Sequence, residues 1–235
     1  MIWLIALTVC GGFINGDGRF TLYYVLNVFD NPVLVQGLVN SLVIAVLTTG
    51  LCLVITLPLA VWAARYEFAG KWIVTSMMLV PLILPPFVGA IGLRAILGRF
   101  GALNALLVAW GIGDWSHPID WLGGDWLPDV WPVYFLDGKM MSVVVMEVLH
   151  LYPILFLNII AAIANIDPTL DEASHNLGVG RWMRFRKVTI PLIAPGLFAG
   201  GTIVFIWSFT ELGTLLMFDY YRVMPVQIFW GINQV

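Results

Sequence analysis

The chain has 235 residues, of which 60% are hydrophobic and 11% are charged, with a formal net charge of -3 and a mean hydropathy of +0.93. A soluble domain of this size cannot bury so much apolar surface, so the composition excludes an ordinary soluble fold and indicates a membrane protein. The apolar runs are continuous rather than alternating, which favours helices over a β-barrel. The small net charge gives no reason to expect a nucleic-acid partner.

Five apolar segments follow one another along the chain, and the last four are long enough to cross a bilayer. They cover residues 2–14, 39–64, 72–97, 140–164 and 192–218. The first follows Met1 directly and has no basic n-region, so we expect a helix cut short at its N-terminus, or one docked against neighbours, and not a secretory signal peptide. The third contains Pro81, Pro85 and Pro86, for which we expect a kink; freed carbonyls that face a cavity are the alternative.

These segments predict an all-α integral membrane protein with about five transmembrane helices. A short apolar helix and an external segment occupy residues 1–38. The transmembrane core occupies residues 39–218 and includes a polar loop at 167–191, and an external segment occupies residues 219–235.

The basic residues of the short loops predict the orientation in the membrane. Arg65 and Lys71 flank the turn between the second and third segments. Four cations crowd the loop between the fourth and fifth segments, namely Arg181, Arg184, Arg186 and Lys187. The positive-inside rule therefore places both basic loops in the cytoplasm, and the Trp- and Asp-rich loop 98–139 on the outside.

Three acidic or histidine side chains fall inside the apolar segments, namely Glu147, His150 and Glu211, and Arg94 lies near the outer end of the third segment. A charge near the bilayer centre costs about 2.5–3.5 kcal/mol, so each of them needs a reason. Glu147 and His150 are three residues apart and share a helix face, and we expect Glu211 to lie deep in the fifth span. One interpretation makes all three part of a translocation path, and the other makes them hydrogen-bond partners that fix packing. Glu147 and His150 are two possible metal ligands, but the sequence spacing suggests no third one, so no metal site is predicted.

The polar loop is predicted to form two short helices. Asp167 can cap a helix that Pro168 begins, and Gly178 can end that helix in the left-handed conformation. A second helical stretch starts at Arg181, and we expect Pro191 to close it before the fifth span. By these criteria alone, a solvated amphipathic connector is an equally good interpretation of the loop.

The loop also carries a spaced sequence pattern. The pattern begins with Glu172-Ala173-Ser174. Gly178 follows after three further residues, and Val188-Thr189-Ile190-Pro191 follows after nine more. This pattern resembles the EAA loop (EAA-x3-G-x9-I-x-L-P) of binding-protein-dependent ABC transporter permeases, with mild changes in volume at Ser174, Val188 and Ile190. The resemblance begins near Asn40 and covers about four fifths of the chain.

The resemblance implies the core of a type I ABC importer permease, in which the loop docks on a separate cytoplasmic ATPase subunit. It implies that Glu172 makes the charged contact, Ala173 allows close approach and Gly178 sets the corner between the helices. The remaining residues of the implied coupling site are Ser174, Arg181, Ile190 and Pro191. The chain has no phosphate-binding G-x-x-x-x-G-K-[ST] motif, so we expect it to be no enzyme and to bind no cofactor itself, with ATP hydrolysed on the partner.

The resemblance also implies the assembly and its place. The expected partners are an ATPase dimer, a periplasmic substrate-binding protein, a second permease half or a second copy of the chain, and membrane lipid. The expected location is the bacterial inner membrane.

Within the family, the stretches 209–214 and 220–227 are most similar to iron(III) permeases, so ferric iron is the expected cargo, although spermidine, thiamine and phosphonate permeases share much of the pattern. Iron(III) permeases are often fusions of two homologous halves. The chain has one EAA-like loop, and a sixth span would be expected after the fifth segment, so the chain resembles an N-terminal half of such a fusion or a shortened copy of one. An ion-coupled secondary transporter that uses Glu147, His150 and Glu211 as a proton relay is the alternative from another class.

Overall fold

The computed structural model describes residues 3, 10–14, 18–123, 138–167, 169–170, 174 and 178–233. Within these residues the chain is almost entirely helical. The helices are α1 Tyr23–Asp30, α2 Pro32–Arg65, α3 Lys71–Ile83, α4 Pro86–Leu97, α5 Ala102–Ala109, α6 Gly138–Ala164, α7 Arg181–Arg184, α8 Ile190–Thr210, α9 Gly213–Met217 and α10 Met224–Asn233, with a π-helical turn at Phe185–Thr189.

Four helical stretches in the described part of the chain are long and apolar enough to cross a membrane. They are 32–65, 86–109, 138–164 and 181–210, and α3 is a shorter apolar helix. The second and fourth predicted segments correspond to α2 and α6, although α2 begins earlier, at Pro32. The predicted first segment lies mainly outside the described residues.

Helix α6 lies at the centre of the bundle. It packs against α2, α8 and α3, and 61% of its most apolar stretch is buried, against 28% for α2. Val144, Leu151, Leu155 and Ile159 are fully or almost fully buried, at the spacing of one helix face. Polar residues on this helix are consequently carried into the protein interior.

The third segment is a pair of separate helices. Helix α3 ends at Ile83, Leu84 is extended with φ -83° and ψ 130°, and α4 begins at Pro86. Pro85 and Pro86 have no N–H, so the carbonyls four residues earlier, at Pro81 and Leu82, have no intrahelical donor. The expected kink is therefore wrong, because two successive prolines remove two successive hydrogen bonds from the helix.

The fifth segment is also broken. Helix α8 ends at Thr210, and Glu211 is extended with φ -63° and ψ 135° before α9 begins at Gly213. The Thr214 N–H donates to Glu211 Oε1 at 3.1 Å, so the carboxylate satisfies a backbone donor at the start of α9. The expectation that Glu211 lies deep in one continuous span is wrong, since it lies between two helices.

The helix that starts at Arg181 does not close at Pro191. Residues 181–210 form one helical stretch, with Pro191 in the first turn of α8, where its missing N–H is tolerated. The Ile190 N–H bonds to the Phe185 carbonyl, five residues back. The π-turn shifts the hydrogen-bond ladder just before the proline, so the predicted closure at Pro191 is wrong.

The two basic loops lie at the same end of the bundle, which we call the basic end. Arg65 Nη2 donates to Thr189 Oγ1 at 2.7 Å, and this contact brings the end of α2 beside the start of α8. At the opposite end, Asn40 Nδ2 donates to the Arg222 carbonyl at 2.7 Å. The two basic loops thus share one side, as the sequence predicts.

Candidate functional site

A small polar cavity lies where the two helix breaks come together. It is lined by Pro86, Glu147, His150, Leu151, Trp207, Glu211 and Thr214, and its volume is about 10 Å³, room for about one water molecule. Helices α4 and α9, which begin directly after the two breaks, pack against each other. All three ionisable residues predicted to lie within the spans therefore line one cavity.

The cavity lies closer to the opposite end than to the basic end. Glu147 is about 14 Å along α6 from Gly138 and about 26 Å from Ala164, at about 1.5 Å per residue. It follows that a solute leaving the cavity towards the basic end would pass most of the length of α6.

Glu147 is 3% exposed, and its carboxyl oxygens make no hydrogen bond of good geometry among the described residues, although the Ser208 hydroxyl is close enough to donate to them. Ser208 of α8 is its neighbour, and Glu211 lies within electrostatic range. The Ser208 hydroxyl is likewise buried and unpaired within the described residues. A buried polar group without a partner costs about 1–3 kcal/mol, and more when it is charged. Glu147 is therefore a buried polar group that the surrounding helices satisfy only in part.

His150 bridges α6 and the broken end of α3. Its Nδ1 lies 3.1 Å from the Pro81 carbonyl oxygen, which is one of the two carbonyls left without an intrahelical donor. Since a carbonyl can only accept, Nδ1 must carry the proton, and in the neutral ring Nε2 is then an acceptor. His150 thus makes an interhelical bond, as the packing interpretation requires, and also lines the cavity.

Glu211 joins the second break to the cavity. Its Oε1 accepts from the Thr214 N–H at 3.1 Å, and Gly213 leaves so little room that an added Cβ would lie 3.3 Å from the same oxygen. The carboxylate is held in place by the first turn of α9. Two carboxyl groups that share a small cavity favour positive charge and disfavour anions.

The polar loop is described in part. The Thr169 N–H donates to Asp167 Oδ1 at 2.9 Å, and the Thr169 backbone and hydroxyl hold the pKa of Asp167 below its usual range. This is the capping contact that the sequence predicts. Glu172 and Ala173, the residues implied to contact the ATPase, lie outside the described residues.

The corner of the loop lies at Gly178, which has a left-handed backbone with φ +71°. The Val179 N–H donates to the Ser174 carbonyl at 3.2 Å, the six-to-one bond of a Schellman motif. The predicted glycine termination is therefore present. Arg181 is an exposed residue at the start of α7, and Ile190 and Pro191 begin α8.

Sequence reasoning missed three polar residues of these sites: Ser208, Thr214 and Thr189. Hydroxyl groups are common within membrane helices, and their sequence positions alone do not distinguish a cavity from a helix-helix contact.

Comparison with known proteins identifies the class of the chain. Residues 56–233 match the family described as "Binding-protein-dependent transport system inner membrane component", so the chain belongs to this family of membrane permease subunits. The chain aligns over 99% of its length with 80% of a chain from the crystal structure of a bacterial ABC transporter involved in the import of the acidic polysaccharide alginate, with a TM-score of 0.73 and 16% identity. This likeness confirms the predicted fold class.

The curated relatives are named for different transported substrates. A probable molybdenum ABC transporter permease of Haloferax volcanii is 31% identical over 84% of this chain and 64% of its own length. The molybdenum permease ModB of Escherichia coli K12 is 27% identical over 76% of this chain and 71% of its own length. A putative ferric permease FbpB of Haemophilus influenzae is 26% identical over 94% of this chain and 32% of its own length. The chain thus spans less than two thirds of the Haloferax relative and about a third of the ferric one.

Proposed function

We propose that the chain is the membrane-spanning subunit of an ATP-driven importer, coupled through its polar loop to a separate ATPase. The observation that carries this proposal is the glycine corner at Gly178, which lies in the loop between two spans and on the basic end. A secondary carrier has no need for a helical corner of this kind. Membership of the permease family supports the same function.

The remaining partners follow from the same proposal. An ATPase dimer binds the basic end through the loop 167–191, with Glu172 as the charged contact. A periplasmic substrate-binding protein delivers cargo at the opposite end. A second permease half or a second copy of this chain completes the path.

We propose that cargo passes through the cavity of Glu147, His150 and Glu211. The two helix breaks meet there, and broken helices in transporters commonly border the substrate site. The unpaired carboxyl group of Glu147 supplies the binding chemistry, and His150 Nε2 is available on the same helix face.

We propose ferric iron as the cargo. Two carboxyl groups attract a cation and repel an oxyanion such as molybdate, and the ferric relative aligns with nearly the whole of this chain. Against this stands the higher identity of the molybdenum relative. Among the described residues, no three metal-binding side chains are close enough to hold an ion together.

The experiment is co-purification with the ATPase subunit, followed by uptake into proteoliposomes. We expect Glu172→Lys and Gly178→Pro to reduce ATPase binding and abolish uptake, while both variants still insert into the membrane. Full uptake by both variants would refute the coupling role. The proteoliposomes should take up labelled ferric iron and not labelled molybdate. Uptake of molybdate without uptake of iron would change the cargo and leave the importer proposal standing.

The ion-coupled carrier remains a second candidate because Glu147 is unpaired in a bundle that spans the membrane. It predicts uptake that persists without ATP and stops when the proton gradient is dissipated.

A further inference from the structure

The polar loop joins α8 through the π-helical turn Phe185–Thr189. Hydrogen bonds in a π-turn run to the fifth residue instead of the fourth, and such turns are rare and frequent at functional sites. The turn here lies between α7, which follows the loop corner, and a span of the bundle. It is therefore the segment through which any movement of the loop must reach α8.

Arg65 reaches this turn from a different helix. It is the last residue of α2, and its Nη2 donates to Thr189 Oγ1 at 2.7 Å across 124 positions of sequence. Thr189 is 3% exposed and is the last residue of the π-turn. Because the donor is charged and the acceptor is buried, this bond is stronger than an ordinary surface hydrogen bond.

We propose that the bond between Arg65 and Thr189 ties α2 to the base of α8 and places the hinge at residues 185–188, on the loop side of Thr189. Movement of the loop then bends the π-turn and shifts α2 and α8 together. Without the tie, the loop is joined covalently to α6 and α8, and α2 follows through its packing against those helices. Arg65 is thus a positioning residue for coupling, and this inference rests on the proposed function.

The tie fits the architecture of the bundle. Helix α2 packs along both α6 and α8, and the small residues Ala60 and Ala63 near its basic end are buried. The hydrogen bond between Arg65 and Thr189, at the end of this contact between small side chains, stops α2 and α8 from sliding past each other. Arg65 also lies at the carboxyl end of α2, where the helix dipole favours a cation.

The test uses the full chain reconstituted in proteoliposomes with its ATPase and binding protein, and measures cargo taken up per ATP hydrolysed. Arg65→Met removes the donor, Thr189→Val removes the acceptor at nearly constant volume, and Thr189→Ser keeps the hydroxyl as the matched control. We expect uptake per ATP to fall about tenfold in the first two variants and to stay near wild type in the control. Arg65→Met leaves the buried Thr189 hydroxyl without its donor and should lose some thermal stability, whereas Thr189→Val removes the hydroxyl and should unfold near wild type.

The double variant Arg65→Met/Thr189→Val decides whether the two residues act through one bond. If they do, the double variant is no worse than either single variant. The proposal would be overturned if the losses of uptake per ATP add in the double variant, or if the single variants keep wild-type uptake per ATP. It would also be overturned if the loss of uptake in each variant parallels a fall in its thermal stability. A wild-type complex that hydrolyses ATP and accumulates no cargo would instead overturn the proposed function, and the tie with it.

Discussion

The carboxyl group of Glu147 distinguishes a transport path from simple packing at the scale of single residues. It is buried, it makes no hydrogen bond of good geometry among the described residues, and the donor beside it is the buried Ser208 hydroxyl. Packing alone gives no reason to retain such a group, since an apolar side chain of similar volume would avoid its desolvation cost.

Glu147→Leu should therefore separate stability from transport. We expect the unfolding free energy to be unchanged or to rise by about 1–3 kcal/mol, because an unpaired buried polar group is removed. We expect the uptake rate to fall at least about tenfold, because the cavity loses its free carboxyl group. Both are measured on the same purified preparation, by thermal unfolding and by proteoliposome uptake.

Thr48→Val is the matched control for that change. The Thr48 hydroxyl on α2 is also buried without a partner in the described part of the chain, but it does not line the cavity. The control should match or exceed wild-type stability and leave uptake unaltered. Wild-type uptake by Glu147→Leu would assign Glu147 to packing.

Glu211→Gln tests the second carboxyl group. The amide oxygen of Gln can still accept the Thr214 N–H, so the start of α9 should persist and stability should change by less than about 0.5 kcal/mol. Uptake should slow, since the negative charge of the cavity decreases. An unchanged rate would leave Glu211 with the helix-capping role alone.

The glycine corner of the polar loop is the testable feature at the scale of elements. Gly178 has φ +71°, and a Cβ there would have open space around it, so conformation alone restricts the position. Gly178→Ala should destabilise the loop by about 1–2 kcal/mol. Amide hydrogen exchange at Val179, whose N–H donates to the Ser174 carbonyl, should accelerate by a factor of about 5–30.

Gly180→Ala provides the comparison two residues away. Gly180 has φ -61° and ψ 152°, also with open space around its Cα, so alanine fits without strain. Equal exchange rates in the two variants would contradict the Schellman corner.

The sequence predicted the elements better than their interruptions. Long apolar runs were sufficient to place α2 and α6, because lipid requires every backbone group of a span to pair within it. The break at Leu84 follows from Pro85 and Pro86, but a proline pair alone does not reveal that His150 will bind the freed carbonyl of Pro81. The break at Glu211 contains no proline, and it depends on a side-chain cap and on packing against α4.

In the candidate sites, the residues that form local sequence patterns were predictable. The spacing of Glu147 and His150 placed both on one helix face, and the EAA-like pattern located the loop corner at Gly178. The partners that lie far away in sequence were not predictable, since neither Ser208 beside Glu147 nor Arg65 beside Thr189 leaves a local pattern.

The close approach of α6 and α8 is a property of the whole molecule. A Cβ added at Gly196 would lie 2.6 Å from Ala162 Cβ and 3.1 Å from the Asn158 carbonyl oxygen, atoms that cannot move without the helix. Gly196→Ala should therefore push the two helices apart and destabilise the protein by about 1–3 kcal/mol. Thermal unfolding in detergent measures this loss.

Gly201→Ala is the control on the same helix. Its added Cβ would meet Thr49 Cγ2 at 3.8 Å, an ordinary contact, and alanine favours the helix over glycine by about 1 kcal/mol. Stability should hold or increase. A loss as large as that of Gly196→Ala would contradict the assigned contact between α6 and α8.

The energy source of uptake tests the account of the whole molecule most directly. The wild-type chain, reconstituted with its ATPase and binding protein, is assayed with ATP and without a proton gradient, and then with the gradient and without ATP. We predict cargo accumulation in the first condition and none in the second. Accumulation that requires the gradient and ignores ATP would contradict the importer and favour the ion-coupled carrier.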